Sequence, residues 1–253
     1  MGRVGAWRGA RAIASVFVIV LIHLQGLVWS PLPARAMEEP ASVRVPVLVY
    51  HNVDYSGNEH SVTPEQLDEQ CRWLYENGYT SITVHQFWNA AMGYETLPVN
   101  SVMLTNDDGS SSAVTFAEIL GRYGLVGNYF VNNVSQLSAD QILTLAQYGP
   151  VQAHTATHQM LSQLDYEGQL AEISQNVAYL EQITGQPVRF IAWPFGDYNA
   201  SAVEAAAASG IVGAFGLSGT GCFLHSVDPY YVPRIMMGVG DDLDTFAAKV
   251  GWW

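Results

Sequence analysis

Positive charge is what this chain has least of. Only 13% of its 253 residues are charged, and 10 Lys and Arg stand against 23 Asp and Glu. Four of the basic residues (Arg3, Arg8, Arg11, Arg35) fall in the first 36 positions, which hold no acid. Beyond them six basic residues face 23 acidic ones, a formal −17. A surface so acidic repels phosphate backbones, which disfavours nucleic acid as a partner and leaves neutral or cationic partners easier to accommodate. Internal repeats, low-complexity tracts and heptads are missing too, so solenoids and coiled coils are excluded. The apolar run Ala12–Ile22 is broken by His23 and Gln25 and is too short for a membrane span, and no second stretch is long enough. With only Cys71 and Cys222, there is no disulfide framework.

Apolar mass is present: 49% hydrophobic residues suit a buried core, and the length suits one large domain or two small ones. The basic start, the apolar run, and then Pro31, Pro33 and Ala34-Arg35-Ala36 have the layout of a signal peptide over residues 1–36. Cleavage is expected after Ala36, with an uncleaved anchor as the rival. Residues 37–42 read as a linker and 43–253 as a single domain, secreted or held in the periplasm or cell envelope, with no stable membrane span once the signal is removed. Export permits a disulfide, yet Cys71 shares a helical stripe with Leu67 and Leu74 as a buried thiol would; its pairing with Cys222 stays open.

Along this domain strand-like and helix-like segments alternate. Val45–Tyr50 reads as a buried strand, and Thr63-Pro64-Glu65-Gln66 as an N-cap, first-turn proline and capping-box glutamine of a helix ending at Gly78. Further strands are predicted near Ser81–Val84, Ser101–Thr105, Asn128–Val131, Val151–Ala153, Arg189–Ala192 and Ile211–Ala214. Helices are predicted at Gln86–Met92, Phe116–Tyr123, Ala139–Tyr148, Asp165–Thr184, Ser201–Ser209 and Asp242–Lys249. This alternation implies an α/β fold with a parallel sheet, open or closed into a barrel. His51, Asp107-Asp108, His154 and Pro194-Phe195-Gly196 each follow a predicted strand, at the end where parallel α/β folds gather their active sites.

Two of these clusters have metal-binding chemistry. Adjacent carboxylates repel unless a cation relieves them, and leaving a strand they point in different directions, so one can bind a metal while the other stays free to take a proton. Histidines at i and i+4, as in His154-Thr155-Ala156-Thr157-His158, fall on one side of a helical turn. With Asp108 they make a two-His-one-carboxylate set with open positions, suited to Zn²⁺ and open to Co²⁺, Ni²⁺, Fe²⁺ or Mn²⁺.

Thr105-Asn106-Asp107-Asp108-Gly109, the His154/His158 pair and Trp193-Pro194-Phe195-Gly196 resemble, in order, the first three motifs of the polysaccharide deacetylases, carbohydrate esterases with a NodB-homology domain. Val47-Leu48-Val49-Tyr50-His51 and Val232-Pro233-Arg234-Ile235 look like the circularly permuted branch. The resemblance covers about Val43 to the C-terminus. It implies a NodB-type distorted (β/α) barrel that removes N-acetyl groups from an extracellular or cell-envelope glycan. Asp108, His154 and His158 would be the ligands of a divalent metal, zinc first. Asp107 would be the base that deprotonates the metal-activated water and His51 the acid that protonates the departing amine. The Phe195 N–H would stabilise the oxyanion, with Pro194 holding that turn, and Arg234 would orient Asp107. Such roles match what an acetamide demands: a polarised carbonyl, an activated water and a proton for nitrogen.

Asn106 and Phe195 depart from the family's usual Phe and Tyr, and Arg234 stands in for the arginine usually found before the motif-three proline. His225, in Phe223-Leu224-His225, competes with His51 for the acid role. His60 and His85 read as ordinary histidines, Trp193 as a sugar-stacking platform, and Trp88 as core. Two other functions remain open: a non-catalytic glycan-binding barrel, and a deacetylase of O-acetyl esters or small molecules. Oligomeric state is not legible.

Overall fold

The computed structural model describes residues 43–219 and 221–251. The predicted signal peptide (1–36), the linker (37–42) and Trp252-Trp253 lie outside the described residues. Eight parallel strands build the sheet: β1 (Val47–Tyr50), β2 (Thr80–Ser81), β3 (Ser101–Asn106), β4 (Asn128–Val131), β5 (Val151–Ala153), β6 (Phe190–Ala192), β7 (Gly213–Phe215) and β8 (Ile235–Met236). Their order is β7-β6-β5-β4-β3-β1-β8, with β2 pairing beside β3. The sheet curls: β8 pairs with β1, while Val232 just before it bridges in parallel to Phe215 of β7. The segment 232–236 thus reaches from one edge of the sheet to the other.

Side-chain parity separates two apolar layers. Val47, Met103, Phe130, Phe190 and Phe215 face one buried cluster inside the curl. Leu48, Leu104, Tyr129, Ile191 and Ala214, each the neighbour of one of these, face a second cluster beneath the helices. Alternation with period two is what pleated strands impose, and here both faces are apolar because both are covered.

The covering helices are α1 (Pro64–Glu76), α2 (Val84–Ala91), α3 (Ala113–Arg122), α4 (Ala139–Tyr148), α5 (Tyr166–Thr184), α6 (Ala200–Ala208) and α7 (Leu243–Gly251). Thr63 and Gln66 close the predicted capping box of α1, and Ser138 with Gln141 builds one on α4. Cys71 and Cys222 are buried and free. The second strand corrects the sequence reading: it ends at Ser81, because Thr83 and Gln86 form a further capping box and start α2 at Val84. Among the described residues no helix is long and apolar enough to cross a membrane.

Candidate active site

The strand ends deliver the site by the same parity. In β3, Met103, Thr105 and then Asp107 continue the inward row; in β1, Val47 and Val49 lead to His51; in β5, Gln152 leads to His154. Tyr50 pairs with Asn106, so His51 and Asp107 leave neighbouring strands at the same level.

Three donors then meet. Asp108 Oδ1, His154 Nε2 and His158 Nε2 are each 3.1 Å from the other two. His154 Nδ1 lies 2.8 Å from the Ala192 carbonyl. That contact makes Nδ1–H the donor and turns the Nε2 lone pair toward His158 and the carboxylate. Two imidazole lone pairs and a carboxylate at this spacing repel one another unless a cation sits among them. Ligands held at ~2.0 Å by a tetrahedral ion stand ~3.3 Å apart, so the donor set fits a divalent metal. The two imidazoles against it outweigh burial and hold Asp108 well below the usual carboxylate range. For His154, burial alone would lower the pKa, but Asp108 and Asp107 raise it above the ordinary value.

The loop carrying the histidines is not the helical turn that the i, i+4 spacing suggested. Thr155 and His158 have φ of 64° and 60°, and Asp108 has 72°, all in the left-handed region. Such backbone costs about 1–3 kcal/mol per non-glycine residue, most for a β-branched one. Buried polar contacts hold it: Thr157 N–H donates to Glu172 Oε2 at 2.8 Å, Ala156 N–H to the Glu172 carbonyl at 2.9 Å, and His154 N–H to Asn176 Oδ1 at 2.8 Å. Gly109 is required for another reason: a Cβ there would lie 2.9 Å from both Ser135 Cβ and Val131 Cγ1.

Asp107 is 1% exposed and Arg234 fully buried. Arg234 Nη1 and Nη2 donate to the two Asp107 oxygens at 2.8 and 2.7 Å, and its Nε donates to the Gly216 carbonyl. Burial would raise the Asp107 pKa, but Arg234 and then His154 hold it below the usual value. Burial lowers the His51 pKa against the opposing pull of Asp107 and Asp108. Asn106 proves to support His51: its Nδ2 donates to the His51 carbonyl at 3.0 Å, which also accepts from Ser110 Oγ. Phe195 has φ 58° and is 58% exposed, with its ring 4.7 Å from that of His158. Its N–H enters no hydrogen bond among the described residues. Pro194 is buried and opens this turn.

Trp193 borders the space beside the three donors, but the reading as a sugar platform is corrected because its faces are closed. Its parity is that of Ile191, not Ala192, so it turns under the helices, fully buried, stacked on Tyr198 and donating from Nε1 to the Tyr230 carbonyl. His60 corrects the other way. The loop after β1 folds back so that Asn52 N–H meets the His60 carbonyl, and the His60 ring lies 5.4 Å from that of His51. Both rings line a pocket of about 130 Å³ with Asp107, His154, Phe195 and Met236. Neither His60 nor Glu172 carries a local sequence signal, since each is brought in by a remote contact. Trp88 packs on Phe190 as expected, and the side chain of His225 lies outside the described residues.

Comparison with known proteins agrees with this geometry. The polysaccharide deacetylase family model matches residues 94–214. The chain is 27% identical over 180 residues to YxkH of Bacillus subtilis, covering 68% of this chain and 63% of that protein. It is 39% identical over 69 residues to the poly-β-1,6-N-acetyl-D-glucosamine N-deacetylase of Escherichia coli K12, covering 26% of this chain and 10% of that one. The chain therefore matches less than two thirds of the length of either curated relative. In three dimensions it resembles the deacetylase PplD of Streptococcus pyogenes, solved with acetate: TM-score 0.77, 21% identity, covering 83% of this chain and 99% of that one. The curled sheet with its helices is the NodB-type (β/α) barrel.

Proposed function

We propose that this chain, which belongs to the polysaccharide deacetylase family, is a metal-dependent N-deacetylase of an N-acetylated glycan. The observation that carries the reading is the triangle of Asp108, His154 and His158 donors beside a carboxylate clamped by a buried arginine. A divalent cation held by those three residues would polarise the acetamide carbonyl and make the attacking water more acidic. Asp107, kept ionised by Arg234, accepts the proton of that water. The Phe195 N–H, free of other partners among the described residues, donates to the oxygen on which negative charge develops. His51, in the same pocket as Asp107, protonates the nitrogen as the carbon–nitrogen bond breaks, leaving acetate and an amine.

The pocket between these groups measures about 130 Å³, the space of roughly four waters at ~30 Å³ each. An acetamido group has four heavy atoms, so the pocket suits the acetyl end of a substrate and leaves the sugar outside. The E. coli relative named as an N-deacetylase of poly-N-acetylglucosamine supports that substrate class. The Arg-rich, apolar segment before the domain supports action outside the cytoplasm, and the position of His51 just after the first strand of the sheet supports the permuted branch.

The test is acetate release from N-acetylglucosamine oligomers by the purified enzyme, before chelation, after it, and with Zn²⁺, Co²⁺, Ni²⁺, Fe²⁺ or Mn²⁺ restored. Activity that stops on chelation and returns with metal is expected. Glycan binding with no acetate under any of these conditions would make the chain a binding barrel instead. Release from O-acetyl esters alone would move the assignment to an esterase.

A further inference from the structure

Among the described residues, hydrogen bonds hold the acid His51 only by its backbone. Its carbonyl accepts from Asn106 and Ser110, but its ring Nδ1 is buried and has no hydrogen-bond partner. His154 shows what is missing, since its own Nδ1 lies 2.8 Å from the Ala192 carbonyl. Nδ1 of His60 is buried and unpartnered in the same way, and its ring stands 5.4 Å from that of His51, tilted by 35°. We propose that His60 is the positioning residue of the acid: it accepts the Nδ1–H of His51 and so keeps the Nε2–H aimed into the pocket. This role rests on the deacetylase reading and deepens it.

An imidazolium has two N–H groups, and giving one to the departing nitrogen leaves the other in need of an acceptor. A buried ring nitrogen without a partner is costly, and here two of them sit on adjacent rings, each able to satisfy the other. Rings at this separation bring facing nitrogens to about 3 Å, hydrogen-bond distance, by turning in place. The tautomer suits the pairing. Glu59 Oε1 lies 3.5 Å from His60 Nε2 and favours a proton there, which leaves the Nδ1 lone pair for His51. The loop is braced to present that ring. Asn52, the residue after the acid, donates its N–H to the His60 carbonyl at 3.3 Å, and His60 N–H donates to Asn58 Oδ1 at 2.9 Å. From the other side Val239 N–H reaches the Glu59 carbonyl at 3.4 Å. Gly238 permits that approach, because a Cβ there would collide with the same carbonyl oxygen.

The experiment uses the leaving group to separate positioning of the acid from general packing. N-acetylglucosamine oligomers expel an amine and need the acid, whereas a nitrophenyl acetate expels a phenolate that departs without a proton. His60→Phe keeps a ring and loses the acceptor. On the zinc-loaded enzyme it should lower kcat for the oligomers about tenfold or more, with KM and the kcat for the aryl ester each within about twofold of wild type. His60→Asn, whose Oδ1 stands about where Nδ1 stood, should return oligomer kcat to within about threefold of wild type. Full oligomer activity in His60→Phe, equal loss on both substrates, or no recovery in His60→Asn would overturn the positioning role and leave the deacetylase reading standing. Absence of acetate from the oligomers with the wild-type enzyme would overturn that reading and the role of His60 with it.

Discussion

At Asp107 the base and the fold share one charge. A buried carboxylate survives only because Arg234 grips both its oxygens, so function and stability are separable by substitution. Asp107→Asn keeps the shape and removes the proton acceptor; kcat for acetate release should fall about 10²–10⁴-fold. Metal affinity, measured by chelator competition, should hold, since Asp107 is not among the three donors. Arg234→Met leaves the carboxylate buried and unpaired, which should cost about 3–5 kcal/mol near neutral pH. The sign with pH follows from the lowered Asp107 pKa. The pair stabilises the fold fully above the unfolded value of about 3.9 and loses that contribution as pH falls through the lower folded value. Melting curves should therefore show a wide gap between wild type and Arg234→Met at pH 7 that narrows in acid; a constant gap would assign the loss to packing. The two aspartates were legible because parity alone sends Asp107 inward. Asn106 was not: its neighbour in register, Tyr50, could be found only from strand pairing.

At the scale of elements, the local signals that were legible are those closed within four residues. The capping box at Thr63 and the left-handed Gly185 ending α5 behave as their spacing implies. The box at Thr83 uses the same chemistry but was masked by the apolar Ile82 and Val84, which look like strand. The His154–His158 loop is the harder case, because i, i+4 spacing is equally satisfied by two left-handed residues held from outside. What holds them is Glu172 on α5, 8% exposed, whose carboxylate receives the Thr157 N–H and hydroxyl. Glu172→Leu should release the loop and weaken metal binding roughly 10–100-fold, as loss of an outer support does. Isothermal titration with Zn²⁺ checks this. Glu172→Gln, which keeps an acceptor for Thr157, should recover most of the affinity; if it does not, the charge rather than the tether is what matters.

Across the whole molecule, strand–helix alternation made the parallel sheet legible, whereas closure by the segment 232–236 was not, because a two-residue strand and one bridge leave no pattern in the chain. Net charge is the other molecular property, and it bears on substrate. With six basic and 23 acidic residues after position 36, the protein carries a negative field that draws cations from several ångströms away. Deacetylation itself generates cations, since each amine uncovered is protonated at neutral pH. A partly deacetylated glycan is therefore attracted, and a fully acetylated one is not. The attraction works over a Debye length that shrinks from about 10 Å at 0.1 M salt to about 3 Å at 1 M. Raising salt from 0.05 to 0.5 M should accordingly raise KM severalfold for partly deacetylated oligomers and leave KM for fully acetylated ones nearly unchanged, with kcat alike for both. Steady-state kinetics on the two substrates at several ionic strengths measures the difference. Equal salt dependence for both would mean that the acidic surface lies out of reach of the bound polymer.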